Sequence, residues 1–138
     1  MTNNPVNKKL LEQEHSEIEQ ITRTLYRILA EHSEPRSRVL NLLKMLRERV
    51  VAHFRDEEPD GFVAKRTEGN AQYAEKCKAL CRDHERLTDR LDRIIQLAVE
   101  GEIQPDWWNE IERQFHAVSF EIINHESREQ ALLDKTSE

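Results

Sequence analysis

With 138 residues, 37% of them hydrophobic and 35% charged, the chain suits one domain with a core of its own and heavily solvated outer faces. A formal net charge of −6 and the lack of any basic stripe argue against nucleic acid as a partner. No stretch approaches the ~20 apolar residues of a membrane span. The polar start MTNNPVNKK does not read as a signal peptide, and two cysteines one turn apart cannot staple a fold, so a cytoplasmic, reducing location is expected.

Apolar residues recur at alternating steps of three and four in four segments, the spacing of a helical seam. The first, about 6–31, carries Leu11, His15, Ile18, Thr22, Leu25 and Leu29. HSEP (32–35) interrupts it, with Ser33 as a candidate N-cap and Pro35 as a starting residue. The second segment, about 36–58, carries Val39, Leu43, Leu46, Val50, His53 and Glu57. The connection PDGFVAKRTEG (59–69) follows, and Phe62 and Val63 within it are expected to cap the nearby end. The third segment, about 70–100, carries Tyr73, Cys77, Leu80, His84, Leu87, Leu91, Ile94 and Ala98. GEIQPD (101–106) offers Gly101 as a stop and Pro105 with Asp106 as a new start. The fourth, about 106–133, carries Trp108, Ile111, Phe115, Val118, Ile122, His125, Glu129 and Leu132. No strand pattern competes, so the expectation is all-α: a single up-down antiparallel four-helix bundle.

Each seam is broken by one histidine: His15, His53, His84 and His125. A buried imidazole costs free energy unless it has a partner. The midpoint of His15 and His53 falls in HSEP and that of His84 and His125 in GEIQPD, so in antiparallel hairpins all four lie roughly 25–30 Å from their turns. Glu57 and Glu129, each four residues after a histidine, add two inward carboxylates about one turn beyond. Imidazole suits iron, zinc or copper, and bridging carboxylates suit paired iron or manganese, so the six residues point to a dinuclear site. The competing reading is a metal-free core, that of an interaction bundle, in which all six must satisfy one another.

EHSEI (14–18), HFRDEE (53–58), DHERL (83–87) and HESRE (125–129), in that order and spacing, resemble the four helix motifs of the hemerythrin-like, or HHE cation-binding, domain family across nearly the whole chain. The resemblance implies a non-haem di-iron centre. His15 and His53 would ligate one iron and His84 and His125 the other, with Glu57, Glu129 and an oxo or hydroxo group bridging; sequence alone also permits Mn or Zn. It implies a protein that binds, stores or senses O2, NO or iron itself, with a di-iron oxidase, peroxidase or nitrosative-stress repair factor as the alternative. Two departures weigh against reversible oxygen carriage: Leu80 stands where oxygen carriers have a further histidine, and Glu129 with Gln130 replaces an aspartate five residues after His125.

Of the remaining residues, Cys81 lies on nearly the same face as His84 and reads either as a metal-proximal thiol or as a packed small residue. Cys77 is too far from His84 to ligate. His32, His116 and Glu19 are expected at the surface, Trp107 and Trp108 in packing. A monomer or a homodimer fits the chain equally.

Overall fold

The computed structural model describes residues 5–57, 69–101 and 105–136. They form four helices and no strand: α1 (Pro5–Glu31), α2 (Arg36–Glu57), α3 (Ala71–Glu100) and α4 (Pro105–Thr136). Consecutive helices pack on one another, and α4 closes back on α1. Pairings run antiparallel: Arg47 meets Asp92 while Phe54 meets His84 between α2 and α3, and Tyr26 meets Ser119 while His15 meets Glu129 between α1 and α4. Among the described residues no helix is long and apolar enough to cross a membrane.

The main core is the seam expected from spacing. Leu25, Leu29, Val39, Leu43, Leu46, Leu87, Leu91, Ile94, Ile111 and Phe115 are all buried in one cluster. A smaller cluster of Cys77, Leu80 and Leu132 sits at the other end, with Tyr73 and Cys81 packed against it.

Chain ends of the helices depart from the sequence reading in two places, at Ser33 and at Trp108. Ser33 does not start α2; its N–H returns to the Ile28 carbonyl and closes α1, while His32 takes the left-handed conformation at φ 51°. Pro35 instead supplies the carbonyl that accepts from Arg38 and Val39. Gly101 does stop α3, but in extended backbone at φ −69°, its N–H on the Leu97 carbonyl. Its need for glycine is steric, because a Cβ there would lie 2.7 Å from Trp107 Cδ1. Trp107 is the buried indole, donating to the Ala98 carbonyl at 3.2 Å, and Trp108, placed on the seam by spacing, is only half-buried. The third start is cleaner: Asn70 caps α3 by accepting from the Tyr73 N–H at 3.1 Å.

Candidate metal centre

The four seam histidines meet in two pairs, one per hairpin. His15 Nε2 lies 2.8 Å from His53 Nε2, and His84 Nε2 lies 3.2 Å from His125 Nε2. His53, His84 and His125 are buried and His15 is half-buried. Both pairs cross as edge-to-face rings, with centroids 4.4 and 4.9 Å apart. In each pair the nitrogens facing inward are the two Nε2 atoms.

The outward nitrogens are held by carboxylates in matching fashion. His53 Nδ1 donates to Glu14 Oε1 at 2.9 Å, and His125 Nδ1 donates to Asp83 Oδ2 at 3.3 Å. Glu14 immediately precedes His15 and Asp83 immediately precedes His84. In each hairpin, then, the acid beside the first histidine fixes the ring of the second. Consecutive helical residues point about 100° apart, so the histidine faces the bundle axis while its acidic neighbour reaches the adjacent helix. A carboxylate on Nδ1 sets the tautomer that leaves an Nε2 lone pair pointing inward.

Glu129 completes one side. It is 1% exposed; its Oε1 lies 2.9 Å from His15 Nε2 and 3.6 Å from His53 Nε2. Helical side chains lean toward the N-terminus, which carries this carboxylate back from its own turn to the histidine level. Neither Glu129 oxygen accepts a hydrogen bond from a described residue. Glu126, one position after His125, brings a carboxylate oxygen to the same place: His15, His53 and Glu126 offer ligand atoms that all lie within 4.8 Å of one another. Glu57 is the last residue of α2, and its side chain lies outside the described residues, as do Phe62 and Val63.

The second pair has a different surround. Phe54 stacks on His84 with ring centroids 3.9 Å apart and planes 7° off parallel, and it meets His125 edge-on at 5.4 Å. Adjacent on α2, His53 serves the α1 side and Phe54 the α3 side. Leu80 is buried with Cys77 and Leu132 and offers no donor. Cys81, half-buried, joins Phe54, His84, Arg47 and Arg55 in lining an open groove of about 520 Å³ between α2 and α3.

Charge around the pairs is set by their outer acids. Burial works against ionising Asp83, but hydrogen bonds from Arg128, His125 and Arg86 outweigh it and hold its carboxyl below the ordinary value. Arg128 donates at 2.5 Å and Arg86 at 3.2 Å. Asp56, hydrogen-bonded to Glu14 and partly desolvated beside that charge, is pushed up to about 6.

Of the residues singled out by sequence, His15, His53 and Glu129 come together, as do His84 and His125. The surface assignments also stand: Glu19 is exposed and pairs with Arg23 at 2.5 Å, His32 stacks on Trp108 at 4.6 Å, and His116 is exposed beside Tyr26. Glu14, Asp83, Glu126 and Phe54 were missed. The repeated acid-histidine dipeptide in α1 and α3 was the available signal for the first two.

The donor set fits a cation. The Nε2 atoms of His15 and His53 meet a carboxylate oxygen of Glu126, and Glu129 Oε1 lies 2.9 and 3.6 Å from the same two nitrogens, with no lysine or arginine among the described residues donating to Glu129. Convergent lone pairs in a buried space need a proton or a metal between them. No family model matches the chain, and neither the curated proteins nor the solved structures include a match.

Proposed function

We propose that this bundle holds a dinuclear non-haem metal centre, with iron as its metal, and that it binds or senses a small diatomic ligand, O2 or NO. The observation that carries the reading is the paired arrangement: in each hairpin two Nε2 atoms face one another within 3.2 Å while a carboxylate holds the outer ring from behind. His15 and His53, with Glu129 and Glu126, would hold one ion. His84 and His125 would hold the other, with Glu129 and Glu57, at the end of α2, as the bridging carboxylates. Such an ion pair supplies one-electron redox chemistry and open coordination positions. The chain's own residues set ring orientation through Glu14 and Asp83 and limit access through Phe54. Leu80 and Phe54 offer no ligand atom on the His84 side, so that half would keep open positions for a small ligand.

Elemental analysis of protein purified in air, and of protein loaded anaerobically with Fe(II), tests the reading beside a visible spectrum. About two irons per chain and absorption that bleaches on reduction are expected. Zinc alone, or no metal after loading, overturns it. His53→Ala and His84→Ala should each lower iron content while leaving the helical circular dichroism in place.

A further inference from the structure

The outer face of α4 is unlike that of α3. On α3 every exposed residue between Glu75 and Arg93 is charged. On α4 the exposed residues from 116 to 127 are His116, Ala117, Phe120, Ile123, Asn124 and Ser127, none of them an acid, lysine or arginine. Phe120 is 70% exposed and Ile123 53%. Alternating steps of three and four run through Arg113, Ala117, Phe120, Asn124, Ser127, Ala131 and Asp134, which is a second seam on the side away from the core.

We infer that this seam is where two copies of the chain associate, α4 against α4 about a two-fold axis. Copies that each carry a net charge of −6 repel, and the 116–127 stripe is where they can approach without opposing like charges. The seam is self-complementary when antiparallel. With the axis passing between Ile123 and Asn124, Phe120 of one copy faces Ser127 of the other, so a large ring meets a small side chain. Arg113 then faces Asp134, each about 16 Å from the axis. Residue i contacts j and j contacts i, as a closed two-fold interface requires. Arg113 pairs with Glu110 and Asp134 accepts from Gln130 within one chain, and each would turn from these partners to meet across the axis. The seam from Arg113 to Asp134 is about 32 Å long and one helix wide, at the low end for a stable interface, so micromolar association is expected. This inference does not depend on any metal.

Sedimentation velocity of the whole chain from about 1 to about 200 μM tests it. A concentration-dependent shift from monomer to dimer is expected. Phe120→Glu should raise the dissociation constant at least about tenfold with an unchanged melting curve, since the ring supports nothing inside its own bundle. Arg113→Asp should weaken the dimer, and adding Asp134→Arg in the same chain should restore it. A monomer at every concentration, or a dimer indifferent to Phe120→Glu, overturns the inference. Failure of the double variant to recover overturns the antiparallel register.

Discussion

A carboxylate buried to 1% exposure beside two ring nitrogens is costly to keep ionised unless a cation joins them, and Glu129 is such a group. Its substitution separates a cation site from a self-satisfied core. Glu129→Leu keeps similar volume and removes the charge, so the metal-free protein should become more stable by about 1–3 kcal/mol in urea unfolding. Metal bound per chain should fall at the same time. A less stable apo-protein would instead mean that Glu129 is held by protons inside the bundle. Asp83 carries the opposite sign. Its carboxyl is held below the usual range, so its contribution is present above the ordinary value of 3.8 and is lost as pH falls through the lowered native value. Asp83→Asn should cost about 1 kcal/mol near neutrality and should flatten the loss of stability on acidification below about pH 4. Unfolding free energies measured at pH 7 and pH 3 check both.

The helix ends show what a seam pattern can and cannot reveal. Arg36, first residue of α2, donates to the Ala98 and Gly101 carbonyls at 3.1 and 2.6 Å and lies 4.7 Å above the Trp107 ring. It closes the C-terminus of α3, where a cation also meets the negative end of the helix dipole. Trp107 Nε1 shares the Ala98 carbonyl, and Gly101 leaves room for the indole edge. Gly101→Ala should therefore cost roughly 1–3 kcal/mol through overpacking, although its backbone conformation suits alanine. Thermal melts of that variant beside Arg36→Met check whether the two positions act through one indole. Spacing revealed the four helices and their buried seams because burial repeats every three or four residues. It chose Trp108 over Trp107 because two adjacent indoles in a first turn differ only through contacts with another helix. The four histidines were legible as interruptions of an apolar stripe. Glu14, Asp83 and Glu126 were not, because each sits one position off that stripe, where a charged residue is ordinary until a neighbouring helix supplies its partner.

At the scale of the molecule the bundle has two unlike halves. Toward the 32–35 turn and the C-terminal end of α3, Leu25, Leu29, Val39, Leu43, Leu46, Leu91, Ile94, Ile111 and Phe115 form a continuous apolar core. Toward the other end, His15, His53, His84, His125 and Glu129 occupy the axis, and the buried apolar residues described beside them include Leu11, Phe54 and the Cys77, Leu80 and Leu132 cluster. If a metal satisfies the polar half, its binding free energy is folding free energy for that half and contributes little to the other. Chelation should then leave the helices formed but lower amide protection unevenly. Exchange should quicken at least about tenfold around residues 11–18, 50–56, 77–87 and 122–132 and change little around 25–29, 39–46, 91–98 and 111–118. Hydrogen exchange of metal-loaded and chelated protein, read by mass spectrometry at peptide resolution, measures this directly. Uniform loss of protection would mean that the halves unfold together and that the apolar core cannot stand alone. Unchanged protection would mean that the histidine pairs are satisfied without metal, and the bundle would then be a polar-cored scaffold.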